Sequence, residues 1–438
     1  MGRLIWRGMF LALVVAGIAG VRPASVQAFD RFGEMTAEAT FGRDMTFRVQ
    51  LAGGAPDRLE LLLRFGEGDT DFVTEVRPGA SSATYVWDTA QDNITPNTVV
   101  GYRWRATDDS VVTVSPAGTL LYDDDRPSID WRSERIGEAT VHWYGDAEGL
   151  ARRFGELSAE GAGRAEELLG HELAGPIDIF VYDARDDFFG ALGPGLREWT
   201  GAAAYPELRT VFMYLKGQDV PYLETAIVHE VTHVIFHDAT VNPYHEPARW
   251  LNEGIASWSE GGNADSERSQ VEFEASGGGL FAFEAITEQF PIGDRGGTLS
   301  YAQGTTMVDM IISNYGREAM RRLTAAYRDG STDAEALEAA TDVPADDLYA
   351  QYFASYGVDT PQPIAPEALL PSVVDTPDGP AGNGGGPIAT AAPDAAPVEP
   401  VPAADARPAV VVLVAAGCLA LFAALLVARR AQRRAARR

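Results

Sequence analysis

The sequence predicts an α+β fold, because segments with the pattern of strands come first along the chain and segments with the pattern of helices come later. Residues 29–125 contain short stretches rich in β-branched and aromatic residues, such as MTFRVQLAG and RLELLLRFG, separated by turn residues. From Pro221 onward, stretches with apolar residues at helical spacing dominate instead. A third feature is the apolar stretch 409–428, which predicts a transmembrane helix close to the C-terminus.

The composition is typical of a folded chain with more than one domain. The 438 residues are 46% hydrophobic, which is enough to build hydrophobic cores. The net charge is −28, although ten of the 35 basic residues lie before residue 29 or from Arg407 onward, where no acidic residue occurs. The segment between them is therefore strongly acidic, which argues against nucleic acid as a partner. The oligomeric state stays unknown.

Both ends of the chain have patterns associated with membranes. Residues 1–28 combine basic Arg3 and Arg7, an apolar stretch and the small-residue sequence VQA, which together indicate a signal peptide. Residues 409–428 carry no charge over about 30 Å of helix, and six arginines follow in 429–438. Because positive residues stay in the cytoplasm, we expect a single-pass protein of the cell membrane with an extracytoplasmic folded part and a cytoplasmic tail.

The composition also divides the region between the two ends. Residues 361–408 hold 12 of the 26 prolines, which indicates a disordered stalk. The strand spacing in the N-terminal region suggests a β-sandwich of immunoglobulin or fibronectin type III character. The predicted organisation is a signal peptide (1–28), a β-sandwich (29–125), a domain of mixed strands and helices (126–358), a Pro/Ala/Gly-rich stalk (359–408), a transmembrane helix (409–428) and an Arg-rich tail (429–438).

A candidate metal site begins with the sequence HEVTH, residues 229–233. Pro221 suits the first turn of a helix, so His229 and His233 share one helix face, about 6 Å apart along the axis. At this spacing both imidazoles can reach a single zinc ion. Glu230 is turned about 100° around the helix from His229. It can take a proton from a water molecule that zinc activates, without competing for the metal.

A catalytic zinc site usually has three protein ligands, so the two histidines need a third. The downstream residues that can supply it are His237, His245, Glu246 and Glu253. His237 lies about 12 Å along the helix axis from His229 and cannot easily share the ion. Glu253 lies in WLNEGIASW, on a second predicted helix that can return to the histidine pair because Pro243 and Pro247 interrupt the chain before it.

HEVTH, a gap of 19 residues and NEGIA together resemble the pattern of the gluzincins, the thermolysin- and aminopeptidase-like zinc peptidases. The resemblance is strongest to their peptidase MA-like branch and covers roughly residues 130–357. It implies a gluzincin-like zinc peptidase domain in which His229, His233 and Glu253 bind Zn²⁺. It also implies that Glu230 is the general base.

Other short sequences match the family pattern or depart from it. SYAQG is similar to the family's tyrosine motif, which implies that Tyr301 donates a hydrogen bond to the oxyanion of the transition state. RTVFMYL, residues 209–215, occupies the place of the edge strand along which such enzymes bind an extended substrate. GAAAYPELRTV stands where the aminopeptidases have a glutamate for the substrate amine, and Glu207 is a weak substitute. Ser257 stands where thermolysin-like members have an acid that orients a histidine.

These observations predict a membrane-anchored, extracytoplasmic zinc metallopeptidase that acts on a peptide or protein substrate. Two alternatives stay open: a catalytically silent surface or binding protein that keeps the zinc site, and an aminopeptidase. Zinc binding without turnover on a broad peptide library favours the silent protein. Products shortened one residue at a time favour the aminopeptidase.

Overall fold

The computed structural model of the protein describes residues 31–362, apart from 67, 69, 91, 93, 194–200 and 292. Four predicted segments lie wholly or almost wholly outside the described residues: the signal peptide 1–28, the stalk 359–408, the transmembrane helix 409–428 and the tail 429–438. Within the described part of the chain, no helix is long and apolar enough to cross a membrane. Strands come first and helices later, as the sequence predicts.

The N-terminal region is built from antiparallel strands. They are β1 (Phe32–Thr40), β2 (Asp44–Leu51), β3 (Arg58–Phe65), β4 (Phe72–Glu75), β5 (Ser82–Asp88), β6 (Thr98–Asp108), β7 (Val111–Val114) and β8 (Gly118–Tyr122). One sheet has the order β1-β2-β5, and the other has the order β4-β3-β6-β7 with β8 also paired to β6. Side chains of both sheets share one core, in which the Phe47 and Tyr102 rings lie 5.4 Å apart. The immunoglobulin or fibronectin type III character stays a prediction.

The second region contains one mixed sheet and a set of helices. The strands are β9 (Arg132–Ile136), β10 (Ala139–Trp143), β11 (Ile177–Tyr182), β12 (Ala202–Tyr205) and β13 (Thr210–Tyr214). The helices are α1 (Glu148–Leu169), α2 (Arg185–Leu192), α3 (Val220–Thr240), α4 (Arg249–Gly261), α5 (Asp265–Ser276), α6 (Asp294–Tyr315), α7 (Arg317–Arg328), α8 (Asp333–Thr341) and α9 (Ala345–Ser355). Short 3-10 turns cover Pro206–Leu208 and Phe283–Ile286.

The order of the mixed sheet corrects one expectation. Its strands run β12-β13-β11-β10-β9, and the outer strands β12 and β9 are antiparallel to their neighbours. The predicted edge strand at residues 209–215 is therefore wrong, because β13 lies inside the sheet with all five residues buried. The edge is β12, whose three alanines give little strand signal in the sequence. It becomes a strand because it pairs with β13.

Candidate metal centre

The helix α3 carries the HEVTH sequence through the core of the second region. Pro221 lies in its first turn, as expected from the fixed backbone angle of proline. The helix packs against α1 on one side and α4 on another, so nearly all of its residues from 226 to 236 are buried. His229 and His233 are 0% and 5% exposed and face α4.

The helix α4 brings Glu253 to the histidine pair. Oε2 of Glu253 lies 3.4 Å from Nε2 of His229 and 3.4 Å from Nε2 of His233. One ligand atom from each of these residues lies within 4.8 Å of the other two, and all three side chains are buried. We call His229, His233 and Glu253 the ligand group. The other residues considered from the sequence lie outside it: His237, His245 and Glu246.

Both histidines are oriented by acceptors on α4. Nδ1 of His229 lies 3.0 Å from Oε1 of Glu260, and Nδ1 of His233 lies 2.8 Å from Oδ1 of Asn252. Because both partners are acceptors, each Nδ1 carries the proton and donates it. The lone pair of a neutral imidazole is then on Nε2, the atom that faces Glu253.

These two partners were not assigned from the sequence. Glu260 lies seven residues after Glu253, two turns along the same helix face, whereas the family pattern places the acid one turn earlier, at Ser257. Asn252 directly precedes Glu253 in the NEG sequence. Two signals in the sequence therefore identify these partners: a carboxylate seven residues after Glu253, and the asparagine of the NEG sequence.

The side chains of the ligand group shift one another's pKa values. Burial lowers the pKa of His229, but Glu253 and Glu260 outweigh it and raise that pKa to about 9. Burial also lowers the pKa of His233, but Glu253 outweighs this effect and raises that pKa to about 9. Burial alone would raise the pKa of Glu253, yet His233 and His229 hold it well below its ordinary value. The group thus favours positive charge at its centre, which protons or a metal ion can supply.

Glu230 lies beside the ligand group and points to the sheet. Its Oε2 accepts a hydrogen bond of 2.7 Å from the backbone N–H of Ala204 in β12. Among the described residues, its Oε1 has no hydrogen-bond partner. The side chain is 1% exposed, and this burial raises its pKa. Glu230 therefore connects α3 to β12, the edge strand of the sheet.

Tyr301 reaches the ligand group from α6. Its ring centroid lies 6.3 Å from that of His229, and Phe290 packs against its other side at 5.3 Å. The position depends on a close contact of α6 with α4. A Cβ atom on Gly254 would lie 2.5 Å from the carbonyl carbon of Gly304, so glycine is needed at this crossing.

The sequence around this site matches a known family model. Residues 158–355 match the model of the Peptidase MA superfamily. We call the region that contains this segment, with its mixed sheet and its helices, the Peptidase MA domain. It contains every site residue predicted from the sequence: His229, Glu230, His233, Glu253 and Tyr301. The resemblance drawn from HEVTH and NEGIA is confirmed.

The chain is also similar to solved structures over part of its length. Yeast LTA4 hydrolase is 10% identical with a TM-score of 0.36, covering 79% of this chain and 72% of the hydrolase. An aminopeptidase N family protein from Idiomarina loihiensis is 10% identical with a TM-score of 0.34, covering 68% of this chain and 71% of that one. A third structure, BhCBM56, is 10% identical with a TM-score of 0.18, covering 21% and 92%. No curated protein matches the chain.

A cavity opens beside the ligand group of the Peptidase MA domain. Its volume is about 480 Å³, and Asn252 and Glu253 form part of its wall. Other residues that line it are Tyr244, Glu246, Arg249 and Glu288. The cavity therefore leads from the surface to the Glu253 side of the buried group. Glu207, the weak counterpart of the aminopeptidase glutamate, is exposed in the turn after β12.

Proposed function

We propose that the Peptidase MA domain is a zinc-dependent peptidase that hydrolyses peptide bonds, with Glu230 as the general base. One observation carries this proposal. His229, His233 and Glu253 form a buried group with Glu230 directly beside it, inside a segment that matches the model of the Peptidase MA superfamily.

The residues fit zinc by their chemistry. Two imidazole nitrogens and one carboxylate oxygen are a ligand set that catalytic zinc sites use. Both Nδ1 atoms are held by acceptors, so the Nε2 atoms are left to coordinate. In the described part of the chain, Nε2 of His233 has no hydrogen-bond partner although the side chain is buried. A metal ion in the group would satisfy it.

Zinc held by this group would lower the pKa of a water molecule and polarise the carbonyl of the substrate. Glu230 is placed to take one proton of the attacking water, because Ala204 holds only one of its carboxylate oxygens. As the water oxygen bonds to the carbonyl carbon and the C–N bond breaks, Glu230 passes that proton to the leaving amine. The raised pKa of the buried carboxyl suits a group that must both accept and release a proton.

Two further elements support a peptide substrate. Tyr301, beside His229, is placed to donate its hydroxyl proton in a hydrogen bond to the oxyanion that forms in the transition state. Among the described strands, β12 pairs only with β13, so its other edge can accept an extended peptide as an added strand. The cavity beside Glu253 then offers space for a substrate side chain.

The test is metal analysis of the full-length protein together with a peptide-cleavage screen, with and without chelator. We expect zinc at one ion per chain and cleavage that the chelator abolishes. Zinc without cleavage of any peptide would support a catalytically silent binding protein instead. Products shortened by one residue at a time from the N-terminus would support an aminopeptidase.

We also propose that the protein is anchored in the cell membrane by the helix predicted at 409–428, with its domains outside the cytoplasm. The support is the charge-free stretch followed by six arginines and the signal-peptide pattern at residues 1–28. Protease treatment of intact cells should release a soluble fragment by cutting the stalk. Complete protection of the peptidase domain would contradict this topology.

A further inference from the structure

The turn that precedes β6 reaches across from the N-terminal β region to the sheet of the Peptidase MA domain. Nδ2 of Asn97 donates a hydrogen bond of 2.9 Å to Oγ1 of Thr210 and one of 3.3 Å to Oδ2 of Asp178. Two residues earlier, the side chain of Thr95 lies close to the hydroxyl of Tyr205. One short turn thus contacts three residues of the mixed sheet.

Two of these residues form a cross-strand pair. Tyr205 and Thr210 lie opposite each other in the β12–β13 ladder, at the end next to the 3-10 turn. Thr95 therefore lies next to β12, and Asn97 is hydrogen-bonded to β13, at the same register position. The residue next to this pair on β12 is Ala204, whose N–H donates to Glu230.

The residues on both sides of this contact are held in place by their own region. Asn97 has a left-handed backbone with φ of 65°, a conformation that asparagine adopts more readily than most residues. Its partner Asp178 also lies 2.9 Å from Nε2 of His142, and Nδ1 of that ring is 2.9 Å from Oγ of Ser133. Thr210 is fully buried. Asn97 thus joins a chain of hydrogen bonds that runs over β9, β10, β11 and β13.

We propose that Thr95 and Asn97 are positioning residues of the peptidase, which fix β12 so that its N–H groups meet Glu230 and an extended substrate. The inference rests on the proposed function, since it takes β12 as the substrate-binding edge. It makes the N-terminal β region part of the catalytic unit, rather than a spacer. Loss of this contact lets β12 move, so that the substrate is positioned less well. The ligand group, on α3 and α4, stays intact.

The test compares full-length Asn97→Gly with the wild type. Glycine keeps the left-handed backbone and removes both side-chain hydrogen bonds. We expect KM for a cleaved peptide to rise roughly tenfold, as the loss of two hydrogen bonds allows. The fall in kcat should be smaller than the rise in KM, and zinc content should stay at the wild-type level. Amide hydrogen exchange in residues 201–205 should become faster.

Asp109→Gly is the matched control. Asp109 also has a positive φ, 45°, and lies in the β6–β7 turn of the same region. Among the described residues, Asp57 holds its backbone N–H and no partner holds its side chain, and glycine keeps that donor. This variant should keep the wild-type KM and the wild-type exchange of residues 201–205.

A second substitution that restores the contact distinguishes a positioning role from a general loss of stability. Asn97→Asp should raise KM further, because two carboxylates then face each other across the contact. Adding Asp178→Asn restores an amide–carboxylate pair and should recover most of the loss. If Asn97→Gly fails to fold, Thr95→Val, which removes the hydroxyl that contacts Tyr205, replaces it with the same expected rise in KM.

Wild-type KM and wild-type exchange in folded Asn97→Gly or Thr95→Val would overturn the positioning role. Failure of the proposed function looks different, since the wild type would then cleave no peptide. In that case amide hydrogen exchange is the only measurement that tests the contact. Faster exchange of residues 201–205 in Asn97→Gly supports its role, and unchanged exchange overturns it.

Discussion

Nδ1 of His229 donates to Oε1 of Glu260 over 3.0 Å, which ties the first histidine of the ligand group to the far end of α4. Glu260 is only 10% exposed in its side chain, so water screens this pair weakly. The same helix supplies Glu253 and Asn252, and thus one helix provides a proposed zinc ligand and the orienting partners of both others.

We predict that Glu260→Gln weakens zinc binding without abolishing it. The amide keeps an acceptor for His229 but loses the negative charge that makes the imidazole a stronger ligand, so the affinity should fall about 10- to 100-fold. Competition with a chromophoric chelator measures it. Glu272→Gln, at an exposed position on α5, is the control and should bind zinc as the wild type does. Equal affinities for both variants would contradict the orienting role.

Glu230→Gln separates proton transfer from metal binding. The amide can still lie next to Ala204 but cannot take a proton from water, so kcat should fall by at least about 100-fold. Zinc content should stay at the wild-type level, because Glu230 is outside the ligand group. Glu224→Gln changes another glutamate of the same helix, one that pairs with Arg153 at the surface. Its kcat should match that of the wild type.

The helices of the site could be predicted because their signals are local. Pro221 marks the start of α3, and Gly262, with φ of 69°, follows the end of α4 in a left-handed conformation. The spacing of the histidines and Glu253 then indicates the ligand group.

The parts of the site that could not be predicted depend on packing between distant segments. Ala202–Tyr205 has no strand pattern of its own and becomes the sheet edge only by pairing with β13. The role of Glu260 depends on the angle at which α4 crosses α3. The contact of Asn97 with Thr210 joins residues 113 positions apart, and no spacing rule along the chain indicates it.

The crossing of α4 and α6 gives a third prediction. A Cβ atom on Gly304 would collide with the carbonyl oxygen of Trp250, so Gly304→Ala should push the helices apart and displace Tyr301. We expect a loss of about 1–3 kcal/mol in the free energy of unfolding, together with a lower kcat. Gly163→Ala in α1 is the control, because its Cβ would meet nothing within 4 Å. It should raise stability by about 0.5–1 kcal/mol, and a similar gain at Gly304 would refute the close contact.

Tyr301→Phe tests the hydroxyl alone. The ring keeps its packing between Phe290 and His229, so stability and zinc content should stay close to wild type. If the hydroxyl stabilises the oxyanion, kcat should fall about 100- to 1,000-fold while KM changes far less. A variant that raises KM at constant kcat would place the hydroxyl in substrate binding instead.

The last prediction concerns zinc and stability, and it holds whether or not the protein cleaves peptides. A ligand that binds only the folded state stabilises it by about 2.7 kcal/mol at a concentration 100 times its Kd. The Tm of metal-free protein should therefore rise on adding zinc, by roughly 2–4 °C per kcal/mol for a domain of this size. Glu230→Gln should show the same rise. His233→Ala lacks one ligand and should show little or none, and a full zinc-dependent rise in that variant would mean that the ion binds elsewhere.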